Sequence, residues 1–166
     1  MTLPRDVPLR DGALVVWRLD EAQYANTWNS GEGSYLFGGR WSSIGTRAVY
    51  CTTDPGNAIL EVAVHKGFNT LDGMDYVLTA AVVGDFDTVY SVTSVPNRNW
   101  LAPTQPSAAQ QAFGDVLLAR HKFVLLPSVV APHSWNVIFV AENAAGMYRL
   151  KSQDPLALDT RLNPPA

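Results

Sequence analysis

Apolar residues in this chain gather in short runs, separated by turn-forming Gly, Asn, Asp and Pro. The first run, residues 14–19 (LVVWRL), follows an Asp11-Gly12 turn and predicts a strand in which Arg18 is the one charged side chain. Residues 48–52 predict a second strand. Residues 76–83, rich in Val, Leu and Ala without clean alternation, predict a buried third. Residues 123–127 and 137–141 are two more β-type runs. Asp54-Pro55 is a helix-start signal, because Asp54 accepts from orphan N–H groups while Pro55 sits where no donor is needed. That helix is expected to reach Lys66 and stop at Gly67. Residues 107–120 carry helical spacing, with Ala108, Ala112, Val116 and Ala119 on one side. Strands outnumber helices. The pattern predicts an α+β domain with a mixed, largely antiparallel sheet and a few helices.

The polar stretches complete that picture. Residues 26–39 are dense in Asn, Ser and Gly and read as a loop, of a length that is uncommon in compact domains unless it has a task. From Lys151 the chain turns polar and ends in Pro-Pro, which predicts a tail that lies extended against the domain or frays. With no internal repeat and no linker, residues 1–166 read as one domain, its core at about 14–150 and the tail at 151–166.

Charge and cysteine content narrow the function. Charged residues make up 16% of the chain, against about 25% in an average soluble domain, so the surface is sparingly charged and suited to cover by a partner. A net charge of −3 with scattered Arg and Lys gives no footprint for direct nucleic-acid binding. The lone cysteine, Cys51, excludes an internal disulfide and fits a reducing cytoplasm. We read no signal peptide at the N-terminus, and the apolar runs are too short to cross a bilayer. His65, His121 and His133 lie far apart and predict no metal site.

Candidate chemistry concentrates in GGRWSSIGTRAVYCTTDPGNAILEVAVH, residues 38–65. Asn57, Glu61 and His65, four apart, form one polar stripe on a helix apolar around most of its circumference. Either the stripe faces solvent with a weak Glu61–His65 pair, or the helix is buried and the stripe faces a cleft. Arg40 follows two glycines that allow close backbone approach, and its planar fork suits phosphate; the alternative is an arginine closing a hairpin turn. Arg18 either points to a solvent face or enters a cavity, where it needs an anion. Tyr50 is either a core residue with a satisfied hydroxyl or a platform for a flat ring. Ser134 opens the late strand as a turn residue or a hydrogen-bonding group. No G-x-S-x-G supports a serine hydrolase.

The order VWRL, then the 38–65 block, then a late SWN and a terminal LALDTRL resembles the RES domain family, toxins of type II toxin–antitoxin pairs, over nearly the whole chain. The family takes its name from Arg, Glu and Ser. The resemblance carries these onto Arg40 or Arg18, Glu61 and Ser134, and adds Tyr50. It implies a fold similar to ADP-ribosyltransferase toxins and a cytoplasmic bacterial protein. NAD⁺ is implied as a substrate rather than a retained cofactor, cleaved by hydrolysis or phosphorolysis, or used to ADP-ribosylate a protein. Glu61 and Arg40 become catalytic, and Arg18, Tyr50 and Ser134 substrate-binding. The implied partner is a cognate antitoxin with an Xre-like DNA-binding region. A non-enzymatic nucleotide-binding module is the remaining alternative. Residues 91–111, rich in Pro, Ser and Gln, fall outside the recognisable pattern and would form the lid of the pocket.

Overall fold

The computed structural model describes residues 3–165. Its centre is a seven-stranded sheet built from β1 (Leu14–Glu21), β2 (Val49–Thr52), β3 (Tyr76–Val83), β4 (Val89–Ser91), β5 (Phe123–Pro127), β6 (Trp135–Phe139) and β7 (Tyr148–Leu156), in the order β4-β5-β6-β2-β1-β3-β7. Neighbouring strands run antiparallel except β4 and β5, which are parallel. The helices are α1 (Glu32–Phe37), α2 (Pro55–Lys66), α3 (Phe68–Asp72) and α4 (Ala108–Arg120). The α+β expectation holds.

Period-two alternation sorts the strands onto two cores. Phe123, Leu125, Val137, Phe139, Val49, Cys51, Leu14 and Val16 fill one face. Val124, Leu126 and Ile138 fill the other, with Leu117 and Leu118 of α4 and the fully buried Trp41, and Tyr50 packs against this second core. A third cluster lies beneath α2 and α3, where Leu19, Leu71 and Tyr76 meet Ile59, Val62 and Ala63.

The sheet has a weak seam. β1 pairs with β3 from Leu14–Val83 to Glu21–Tyr76, yet among the described residues it meets β2 in register only at Trp17–Thr52. Beyond that pair the two strands splay apart. Backbone groups along a splay need other partners, and the site described below is built around one of them.

Several sequence expectations are corrected. The stretch 26–39 is not one loop: α1 lies inside it, and the glycines that signal a loop are its ends, Gly31 at φ 66° and Gly38 at φ 72°. The tail lies extended against the domain as far as Leu156, as the second partner of β3 in a strand, β7, that begins at Tyr148 rather than Lys151. An edge strand solvated on both faces lacks the apolar alternation that marks a strand, and its Lys151 and Pro155 suit an edge. The late strand is Trp135–Phe139, two residues earlier than expected, since β5 fixes its register through Pro127–Trp135. The helix α2 keeps its expected bounds, with Asp54 Oδ1 accepting from the Asn57 N–H at 2.9 Å. It is not buried all round, because Leu60 and Val64 are exposed.

On α4 the buried side is Gln110, Gly114, Leu117 and Leu118, while Ala108, Ala112, Val116 and Ala119 face solvent. Gly114 decides this rotation. A Cβ there would lie 1.9 Å from the Trp41 carbonyl oxygen, so the helix rests directly on the backbone that carries Arg40. Gly114→Ala is therefore expected to destabilise the protein by about 1–3 kcal/mol through overpacking, read as a fall of several degrees in melting temperature; an unchanged melt would show that α4 is free to retreat.

Candidate active site

Strand β2 ends where α2 begins, so Tyr50 and Glu61 sit on adjoining elements, and the Gly38-Gly39 turn brings Arg40 to the same face. The Tyr50 hydroxyl accepts from the Trp41 N–H at 2.9 Å and lies 2.8 Å from Ser42 Oγ. A Cβ on Gly39 would meet that hydroxyl at 2.5 Å, which explains the glycine. Burial pushes the Tyr50 phenol up to about 12, against the opposing pull of the bonds from Ser42 and Trp41.

Arg40 donates through Nη1 to the carbonyls of Trp100 and Ala102, each at 3.4 Å, and through Nη2 to that of Thr104 at 2.8 Å. Its fork thus ties down the segment 98–104, the part of the chain the sequence pattern leaves unassigned. Burial lowers the Arg40 pKa, while the fields of Glu61 and Tyr50 act the other way. Among the described residues no ion pair joins Arg40 to Glu61. The two charges sense each other without closing.

The stripe on α2 runs from interior to solvent: Asn57 is 2% exposed, Glu61 half-buried and His65 exposed. Glu61 accepts at Oε1 from Ser128 Oγ at 3.3 Å, a hydroxyl of the β5–β6 loop rather than the His65 of the solvent-facing alternative. Asn57 Nδ2 donates to Ser128 Oγ and to Ser134 Oγ, both at 3.2 Å. Ser134 therefore reaches the site through Asn57, while Ser128, which the sequence reading passed over, makes the contact with Glu61. Ser128 follows β5 and its N–H donates to the Ser134 carbonyl at 2.9 Å, so the two serines close the β5–β6 loop from opposite ends. A cleft of about 420 Å³ adjoins this network, lined by Asp54, Asn57, Leu60, Pro132, His133 and Ser134 among others.

Arg18 enters differently. Trp17 opposes Thr52, so Tyr50 lies on Trp17's face, and Arg18 starts from the opposite one, alongside Leu14 and Val16. Its Nη1 donates to the Tyr50 carbonyl at 3.0 Å, across the splay between β1 and β2. The anion it needs is Asp20: Nε lies 3.0 Å from both carboxylate oxygens and Nη2 2.9 Å from Oδ1. Burial raises the Asp20 pKa, opposed by Arg18. The structure thus joins Tyr50 to the turn that carries Arg40 and links Glu61 to Ser134 through Ser128 and Asn57, with Arg40 in the field of Glu61, and it gives Arg18 a hold on Tyr50's backbone.

The RES domain family model matches residues 15–160. The chain belongs to the RES domain family. Among RES relatives, the Toxin Res of Photorhabdus laumondii is 29% identical over 126 residues, 75% of this chain and 80% of that protein. The Prs ADP-ribosylating toxin of a Sphingobium species is 27% identical over 127 residues, 74% of this chain and 79% of that protein. In fold, the RES domain resembles a chain of the M. tuberculosis MbcT–MbcA toxin–antitoxin complex, with a TM-score of 0.70 at 19% identity over 87% of this chain and 85% of that one. No helix among the described residues is long and apolar enough to cross a membrane, and no group of three or more His, Cys, Asp or Glu among them is placed to hold a metal ion.

The Tyr50 environment makes a testable statement about pH. A folded pKa of about 12 against the ordinary 10.0 means that the folded state holds this proton longer than the unfolded one. The stability it contributes is complete below pH 10 and lost as pH rises toward 12, at roughly 1.4 kcal/mol per pH unit within that window. Denaturant melts from pH 9 to 12 should show Tyr50→Phe with a shallower alkaline decline than wild type. The raised thiol of Cys51 declines equally in both. Parallel curves would mean that the phenol is not shielded.

Proposed function

We propose that this protein is a toxin that consumes NAD⁺ by cleaving the nicotinamide–ribose bond, and that a cognate antitoxin neutralises it. Membership of the RES family and relatives named as toxins support the biological role. The observation that carries the chemistry is Glu61: a half-buried carboxylate, hydrogen-bonded to a neutral hydroxyl, in no ion pair among the described residues, and felt by Arg40 through its field.

Departure of nicotinamide with the bonding pair leaves an oxocarbenium-like ribose, and a carboxylate opposes that charge as it does in glycosidases. At about 4 Å and an effective dielectric near 20, such a contact is of order 4 kcal/mol, or about a thousandfold in rate. Arg40 retains N–H donors beyond those on the loop carbonyls and would grip a phosphate oxygen. Tyr50 would line the ring-binding wall, Ser134 would hydrogen-bond ribose or phosphate, and Arg18, already paired with Asp20, would serve the substrate only indirectly, by holding β2 in place from behind. NAD⁺ enters as substrate, and water or phosphate takes the ribosyl carbon.

The partner is proposed as an antitoxin with an Xre-like DNA-binding region. Exposed Leu36, Phe37 and Ile44, close in sequence to the Gly38–Arg40 turn, support a protein lying over this part of the surface.

A second reading, transfer of ADP-ribose to a host protein, draws support from the relative named as an ADP-ribosylating toxin. One experiment separates them. Purified protein incubated with NAD⁺ alone should release nicotinamide, and Glu61→Gln should lower kcat about a thousandfold. Release that requires a protein acceptor, with a matching mass shift on it, favours transfer. Wild-type rates in Glu61→Gln would remove the carboxylate from the mechanism.

A further inference from the structure

We infer that Asn57 is a positioning residue that compels Ser128 to act as a hydrogen-bond donor to Glu61; the kinetic part of this inference rests on the NAD⁺-cleaving reading above. The argument is one of satisfiability. A serine hydroxyl has two acceptor lone pairs and one proton. On Ser128 Oγ, the Ala131 N–H donates at 3.1 Å and Asn57 Nδ2 at 3.2 Å, which fills both lone pairs. The remaining neighbour is Glu61 Oε1 at 3.3 Å, so the proton goes there. With its lone pairs occupied, Ser128 has no capacity to accept from Glu61. The contact therefore works in one direction, with Ser128 as the donor and Glu61 as the acceptor.

Asn57 is built for this task. It is 2% exposed and stands one helical turn before Glu61 on the same stripe. Its backbone N–H is fixed by Asp54, and its second amide proton is anchored on Ser134 Oγ at 3.2 Å. The arrangement leaves Asn57 Oδ1 buried without a hydrogen-bond partner. Turning the amide over would take both N–H donors from the two serine hydroxyls and put an acceptor in their place, which would draw the Ser128 proton away from Glu61. The orientation with Nδ2 toward the serines preserves the donor to the carboxylate.

The test compares Asn57→Ala, Asn57→Asp, Ser128→Ala and the Asn57→Ala/Ser128→Ala double variant by steady-state nicotinamide release. Asn57→Ala is expected to lower kcat about tenfold, with KM for NAD⁺ within about twofold. Asn57→Asp, nearly isosteric, replaces the donor with an acceptor that competes for the Ser128 proton, and is expected to lose about a hundredfold. The double variant should be no slower than Ser128→Ala, because Asn57 acts through that hydroxyl. Wild-type kcat in Asn57→Asp, or losses that multiply in the double variant, would overturn the inference. Melting curves verify folding, and should Asn57→Ala fail to fold, Asn57→Asp carries the test. If wild type releases no nicotinamide, the reading of the reaction fails separately. The order wild type, Asn57→Ala, Asn57→Asp is then scored by growth arrest of a bacterium expressing each chain, where equal arrest overturns the assignment.

Discussion

The hydrogen bonds around Tyr50 are the constraint on which the site depends. Strand β2 is four residues long and meets β1 in register at one position, so the sheet alone does not fix how the two halves sit across the seam. Tyr50 closes that freedom at both of its ends. Its carbonyl, left over where the strands splay, accepts from Arg18, whose charge is in turn neutralised by Asp20. Its hydroxyl, on the other face, holds the backbone of Trp41 and the side chain of Ser42. One residue thus anchors the arginine-bearing turn to the strand that leads into α2. Without the internal anion, an arginine in this partly buried seam would carry a desolvation cost of several kcal/mol, which accounts for Asp20 standing two residues away.

The local signals in the sequence translated directly into structure. Asp54, Pro55 and Gly67 marked both ends of α2, because capping is a matter of nearest neighbours along the chain. The spacing of Asn57 and Glu61 placed them on one stripe, and along that stripe burial falls from Asn57 through Glu61 to His65, with Asn57 lining a cleft. What the sequence concealed were the non-local decisions. Ser128 looked like any serine after a strand; only the β5–β6 register, pairing Pro127 with Trp135, sets it opposite Ser134 and within reach of Glu61. The rotation of α4 was hidden for a similar reason. Four apolar positions at helical spacing argued for one face, but the close approach of Gly114 to Trp41 selected another. A glycine inside a helix is usually a weakness, and here it is the contact point. The edge strand β7 was invisible because solvent on both sides removes the alternation that periodicity depends on.

The position of Arg40 shows how two opposite charges are kept apart in a small site. At about 4 Å and an effective dielectric near 20, a collapsed Arg40–Glu61 pair would gain of order 4 kcal/mol before desolvation is counted. Such a pair would leave neither group for a ligand. The competing force comes from the carbonyls of Trp100, Ala102 and Thr104, each accepting from the guanidinium. Hydrogen bonds to a charged donor contribute about 1.5–3 kcal/mol each, so three of them match the attraction they oppose even at imperfect geometry. On the other side, Ser128 ties one oxygen of Glu61 to the β5–β6 loop, and Asn57 holds that serine in turn. Both charges are therefore tethered away from each other by neutral partners. Each group thereby keeps hydrogen-bonding capacity that the other does not use. That separation, rather than the presence of either residue, is what distinguishes this constellation from an ordinary surface salt bridge. It also requires the 98–104 segment to be ordered for the site to be poised, which makes the stretch with the least recognisable sequence a structural part of the chemistry.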